Sequence, residues 1–267
     1  MFASCLSRNN RFSGCDSLDD FVYKLEVEEF VMSQMARFSL LFAFVLALVL
    51  HSVVSEAEAS EKYVRIGDVI DFGSYPQSED GSSTPMKWRV LDVKEGRALV
   101  FSERVIDCRE YHSEFVGVDW EGSAIRKWLN DFFFERFFTE SEKSAVVLSV
   151  LKNPGNPKYG SSGSGDTKDR IFCLSFEEVD RYLSEQSSGF RKPTPYALKK
   201  GVNETKGKSW YWLRSPASHS SYASYMRING KPGYFGHSVA TKTGGVCPAM
   251  WISIAGLSAS RGGGNGE

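Results

Sequence analysis

The chain has 267 residues, 42% of them apolar and 24% charged, with 32 basic and 33 acidic side chains for a net charge of −1. So even a balance, with basic residues scattered instead of striped, excludes the electrostatic footprint of a nucleic-acid-binding domain. Five cysteines are present but only three follow residue 59, and an odd number there excludes a self-contained disulfide framework.

The N-terminal 34 residues are polar and turn acidic towards Asp19, Asp20, Glu26, Glu28 and Glu29. Met35-Ala36-Arg37 then introduces an apolar run from Phe38 to Leu50, followed by Ala57-Glu58-Ala59. A basic flank, a short apolar stretch and a small-x-small site are the parts of a secretory signal peptide, here spanning 35–59. Met35 is therefore the expected initiator, and 1–34 a start-site artefact or a short tail. The run is shorter than the roughly 20 apolar residues that cross a bilayer. The expected product is secreted or periplasmic, without a stable membrane span if the signal is cleaved and anchored through residues 38–54 if it is not.

Residues 60–257 then form a single domain, with a Gly-rich tail at 258–267 expected to be disordered. Residues 1–59 hold 4 basic and 8 acidic side chains, so the remainder carries a net +3. A domain of that length buries about 70% of its unfolded surface and needs no metal or disulfide to stand.

Within it, residues 64–75 alternate around glycines and read as a first strand, and Pro76 to Pro85 as a polar loop. Met86 to Asp92 and Arg97 to Ser102 predict a hairpin through Lys94-Glu95-Gly96, with Trp88, Val90, Leu99 and Phe101 pointing inward. Ser123 opens a helix whose apolar face is Ile125, Trp128, Leu129, Phe132 and Phe133. Thr139-Glu-Ser-Glu142 and Ser175-Phe-Glu-Glu178 have the capping-box spacing, the second leading a helix that buries Phe176, Val179, Tyr182 and Leu183. Between them, Asn153 to Asp166 is a Gly/Pro/Ser loop and Ile171 to Leu174 a strand. From Trp210 onward, three short strands are expected at Trp210–Pro216, Ala223–Asn229 and Gly245–Ile252. Helices and short strands without βαβ alternation indicate an α+β domain.

Five motifs recur in order: Phe72-Gly-Ser-Tyr-Pro-Gln77, Trp88-Arg-Val-Leu91, Trp128-Leu-Asn130, Trp212-Leu-Arg-Ser-Pro216 and Gly245-Val-x-Pro-Ala249. Together they resemble a bacterial domain family of unknown function found in secreted and surface proteins. That family in turn resembles the C-type-lectin-like fold, in the branch shared with formylglycine-generating enzymes and bacterial variable surface proteins. The resemblance implies a compact α+β domain with two helices, small antiparallel sheets and a terminal strand pair that brings the chain ends together. The family commonly carries Arg where Cys247 stands, so any role of that position does not carry over.

Neither chemistry of the resembled groups has its residues here. A formylglycine-generating enzyme binds copper through paired cysteines near its C-terminus, and Cys247 is alone in the last 90 residues. The Glu-Pro-Asn, Gln-Pro-Asp and Trp-Asn-Asp segments of calcium-dependent lectins are missing, and Ser215 lacks a G-x-S-x-G elbow. No catalytic residue, metal ligand or cofactor is assigned. What stands out is Trp210 to His237, where Tyr, Ser, Gly and Arg mix as they do in binding loops. Trp212 and Arg214 are expected in the core. Tyr222, Arg227, Tyr234, Phe235 and His237 are the expected ligand-binding residues, with His219 interleaved. The sequence thus indicates an extracytoplasmic, non-enzymatic binding or interaction domain for a glycan, peptide or cell-envelope component. The alternatives are an enzyme related to formylglycine-generating oxidoreductases and a structural envelope protein.

Overall fold

A computed structural model describes residues 23, 32, 34–35, 37–39, 41–51, 64–184 and 189–257. It comprises two units, Met1–Ser55 and Glu56–Glu267. In the first, residues 41–51 are helical and exposed. Among the described residues no helix is long and apolar enough to cross a membrane. The motif Ala57-Glu58-Ala59, most of 1–34 and the tail 258–267 lie outside the described residues.

The second unit is α+β. Strand β1 (Val69–Pro76) pairs antiparallel with β2 (Ser83–Lys94), which turns into β3 (Arg97–Ser102). The turn is where the sequence put it: Glu95 and Gly96 take φ of 52° and 68°, the left-handed pair that matches a hairpin's twist. Trp88, Val90, Leu99 and Phe101 are buried as expected, but so are Ala98 and Val100, because β3 is covered on both faces. Short strands β4 (Arg104–Val105) and β5 (Asp107–Cys108) follow.

The helix after Ser123 differs from a regular one. Ser123 Oγ accepts from Arg126 N at 3.3 Å and starts α1 (Ala124–Lys127), which passes into a π-helical stretch, Trp128–Phe133, and then α2 (Phe134–Phe137). The wider π turn sets the downstream residues back by about one position. Leu129, Phe133 and Phe134 then all face the core, while Phe132 turns out to solvent and Trp128 sits half-buried at the shoulder. The expected face of Ile125, Trp128, Leu129, Phe132 and Phe133 is corrected accordingly. An α-helix would carry Phe134 off the core side, and three consecutive phenylalanines are accommodated by widening one turn.

Both capping boxes are present, opening α3 (Glu140–Ala145) and α4 (Phe176–Tyr182). Strands β6 (Ser149–Leu151) and β7 (Thr167–Asp169) bracket the 153–166 loop, and β8 (Ile171–Phe172) precedes α4. After β9 (Lys192–Pro193) comes α5 (Pro195–Lys199), a turn the sequence reading passed over. Its signals are Thr194, whose Oγ1 accepts from Ala197 N at 3.0 Å, and Pro195 at the first helical position. The hairpin β10 (Glu204–Thr205) and β11 (Lys208–Ser209) leads to β12 (Tyr211–Pro216), β13 (Tyr222–Met226), β14 (Pro232–Ser238), β15 (Gly245–Val246) and β16 (Ala249–Ser253). More than two helices are therefore present, and the last third holds more than three strands.

The strands make two five-stranded sheets, in the orders β1-β2-β3-β16-β8 and β14-β13-β12-β15-β5. The first and last strands share a sheet, but β16 pairs with β3 instead of β1. One contiguous core joins both sheets, its bulkiest members including Trp88, Trp120, Trp212, Tyr111, Tyr211 and Phe101.

Side chains from the segments singled out above supply polar pins for this core. Tyr75 Oη donates to the buried Asp107 carboxylate at 2.8 Å, which Arg109 Nε also meets at 2.9 Å. Trp88 Nε1 donates to Phe72 O at 2.7 Å and Trp212 Nε1 to Arg109 O at 2.8 Å. Asn130 Oδ1 accepts from Arg170 N and Ile171 N while its Nδ2 donates to Ile171 O at 2.8 Å, tying the π-helical stretch to β8.

Adjacent phenylalanines test this register. Phe133→Ala should cost about 3–5 kcal/mol, as for a buried aromatic, whereas Phe132→Ala should stay within about 1 kcal/mol. Denaturant melts of the two variants decide it; equal losses would mean a regular α-helix.

Candidate functional site

Strand β14 is an edge of the second sheet, and its pairing with β13 slips: Ala223 faces His237, yet Tyr225 faces Gly233. The strand bulges between these pairings, and Gly236 takes φ of 91° there. A Cβ at Gly236 would lie 2.2 Å from Ala217 Cβ, so a side chain cannot be placed without moving the neighbouring turn.

The bulge sends Tyr234, Phe235 and His237 to different surroundings. Phe235 is 49% exposed. Tyr234 lies against Phe176 with ring centroids 4.3 Å apart, and Lys158 Nζ sits 4.1 Å from its centroid. His237 stacks on Tyr225 and Trp210 at 4.2 and 4.7 Å, and burial holds its imidazole below the ordinary histidine pKa. Arg227 is exposed in the β13–β14 turn, roughly 16 Å along the strand from Tyr222. Of the five residues singled out from the sequence, the structure brings together Tyr222 and Phe235, 5.9 Å apart.

Around that pair grows a larger surface. Phe115 meets Tyr222 at 6.2 Å, Tyr159 meets Phe235 at 6.0 Å, and His219 touches Tyr222 and Phe235 at 5.7 and 6.1 Å. Phe115 and Tyr159 are 61% and 52% exposed, so the rings form a continuous aromatic strip open to solvent. They come from four stretches of chain: the loop after β5, the 153–166 loop, the β12–β13 turn with the first residue of β13, and β14. Backbone bonds hold these segments together. Val118 N donates to Ser220 O at 2.9 Å, and Ser218 N to Phe235 O at 3.1 Å. Asn156 Nδ2 donates to both Pro216 O and Tyr234 O, at 3.0 and 2.8 Å, and so fastens the 153–166 loop over the bulge.

Sequence reading missed Phe115 and Tyr159. Each is a lone aromatic in a polar segment, His112-Ser-Glu-Phe115 and Pro157-Lys-Tyr-Gly160, where no core periodicity needs it. That isolation was the available signal.

Trp212 and Arg214 are in the core as expected. Arg214 makes a two-pronged ion pair with Glu178 and also donates to Cys173 O at 2.9 Å and Asn153 Oδ1 at 3.2 Å. Cys108, Cys173 and Cys247 are free and buried. Burial pushes the thiols of Cys108 and Cys173 up to about 11 and about 12 and Cys247 well above its ordinary value, the reverse of what a nucleophile requires. Among the described residues no group of three or more His, Cys, Asp and Glu is placed to hold a metal ion.

Residues 95–254 match the family described as Domain of unknown function (DUF6273). The chain belongs to that family. No curated protein and no solved structure matches it. The DUF6273 span contains every residue of the aromatic strip and runs from the β2–β3 turn through β16.

Two measurements follow from this geometry. In the native DUF6273 domain a small thiol reagent should leave Cys108, Cys173 and Cys247 unmodified, and all three should react once denatured; rapid native labelling of Cys247 would expose a reactive site. For His237 the sign is fixed by linkage: its folded pKa lies below the unfolded value of about 6.5, so the unfolded chain binds more protons and stability falls as pH drops below that value. Chemical denaturation at pH 7.5 and pH 5 should show that fall reduced in His237→Phe, which keeps the ring stack; an unchanged fall would place its cause elsewhere.

Proposed function

We propose that this chain is an extracytoplasmic, non-enzymatic binding domain that holds a cell-envelope glycan on the strip formed by Phe115, Tyr159, His219, Tyr222 and Phe235. The observation that carries the reading is the strip itself: large rings spaced about 6 Å apart, solvent-open, on segments locked by backbone hydrogen bonds. Aromatic faces carry a negative quadrupole and suit the polarised C–H faces of sugar rings. The Tyr hydroxyls and the Ser220 and Ser221 side chains in the same turn supply adaptable hydrogen bonds. Rigid loops lower the ordering cost of binding. The signal-peptide pattern over 35–59 supports a ligand outside the cytoplasm, and the C-type-lectin-like resemblance of the sequence is in keeping with a loop-borne binding face. The three high-pKa thiols weigh against cysteine chemistry of the formylglycine-generating kind.

Retention on an array of envelope glycans tests the reading. Phe235→Ala and Tyr222→Ala should each weaken binding about tenfold, which is the size of one contact of about 1.4 kcal/mol. Their melts should remain within about 1 kcal/mol of the parent. Stable variants with unaltered retention would remove the strip from the proposal.

A further inference from the structure

A second recess shares no residue with the aromatic strip. It is a cleft of about 820 Å³ beside the first sheet, lined by β2, by Glu103 and Arg104, and by Tyr182, Leu183, Phe190 and Lys192. A volume of that order accommodates a sugar-sized molecule. Among the described residues its lining is strongly one-signed, with Lys87, Arg89, Arg104, Arg191 and Lys192 against Glu103. Glu103 is already committed to Arg89, whose Nε and Nη2 reach its two oxygens at 2.6 and 3.0 Å. That pair is neutral, so the exposed Lys87, Arg104 and Lys192 set the potential at the mouth of the cleft.

Two of those cations are placed side by side. Arg104 and Lys192 are direct partners in the parallel pairing of β4 and β9, and both are exposed. Like charges directly opposite on neighbouring strands repel. Arg104 Nη1 donates to Pro193 O at 3.2 Å, a neutral carbonyl, and among the described residues no carboxylate meets Arg104 or Lys192. The adjacent Lys87 leans on Asp71 at 3.1 Å in a well-exposed pair that solvent and salt screen. Arg191 Nε donates to Ser102 O at 2.9 Å, and its guanidinium lies over the Phe101 ring at the back of the same wall.

We propose that this cleft binds a small anionic sugar whose oxyanion group, phosphate or carboxylate, bridges Arg104 and Lys192. The guanidinium offers a planar fork and the ammonium a point charge, a combination that holds several oxygens of one group. An anion between them replaces the repulsion with two attractions. Tyr182 and Phe190 supply ring surface for the body of the ligand.

Calorimetric titration of the full-length chain at low ionic strength tests this with glucose 6-phosphate, glucuronate, inorganic phosphate and glucose as probes. One or both anionic sugars should bind, at least tenfold more tightly than glucose, and the tighter of the two assigns the oxyanion as phosphate or carboxylate. Inorganic phosphate should bind more weakly than the phosphosugar. Affinity should fall as salt rises, because the contacts are solvent-accessible charges. Arg104→Gln and Lys192→Gln should each lower it at least tenfold with unchanged melts. Lys192→Gln removes no side-chain hydrogen bond or ion pair among the described residues, so it separates ligand binding from folding. No binding by either anionic sugar, equal binding of glucose, or retained affinity in the double variant would each overturn the proposal. Phe235→Ala should leave this affinity unaltered, which keeps failure here distinct from failure of the aromatic strip.

Discussion

The guanidinium of Arg214 lies in the core with its side chain 3% exposed, and a charge withdrawn that far from water must be answered group by group. Glu178 answers it with both carboxylate oxygens, Cys173 with its carbonyl and Asn153 with its amide oxygen. These partners belong to helix α4, the strand end before it and the start of the 153–166 loop, while Arg214 itself is on β12. One side chain thus fixes the second sheet, a helix and a long loop relative to one another. Removing either charge would strand the other in a low-dielectric interior, so the arrangement is satisfied as a whole or strongly destabilised.

From Asn153 the constraint travels further. Its Nδ2 donates to Thr167 Oγ1 at 3.2 Å, and that hydroxyl donates to Asp169 at 2.7 Å. Asp169, wholly buried, accepts from Trp120 Nε1 and Arg126 Nε as well. A continuous polar chain therefore runs from β12 to the first helix, with its charges paired at both ends. Through Trp120 and Asn153 it also holds the segments that carry Phe115 and Tyr159. A strip assembled from four separate stretches of chain keeps its ring spacing because those stretches are anchored to this interior network and to the strand bulge.

Features whose cause is local were legible from residues alone. Both capping boxes and the left-handed hairpin turn at Glu95-Gly96 rest on a few neighbouring side chains, and they stand where the spacing put them. The five motifs were visible as well, although their role as pins emerges only in three dimensions: Tyr75 and Asp107 lie 32 residues apart. What escaped has a tertiary cause. Strand β14 is rich in Gly and interrupted by a bulge, so it shows no period-two pattern. The π-helical stretch has the same local sequence signal as an α-helix, and only the need to bury Phe133 and Phe134 together selects it. Tyr222 and Phe235 were found because they lie in one aromatic-rich segment, whereas Phe115 and Tyr159 come from distant stretches that only packing unites.

The widened turn at Trp128–Phe133 also bears on how this chain is compared with others. A π-helical turn amounts to one residue more than the same length of axis needs. Any relative whose helix is regular at that point must be aligned with a one-residue gap inside Trp-Leu-Asn-Asp-Phe-Phe, even though the flanking motifs match without interruption. Placing the gap elsewhere would pair Phe133 and Phe134 with surface positions and assign the wrong residues to the core. The turn is thus a fixed length marker in the chain, where one residue is taken up inside a helix instead of in a loop.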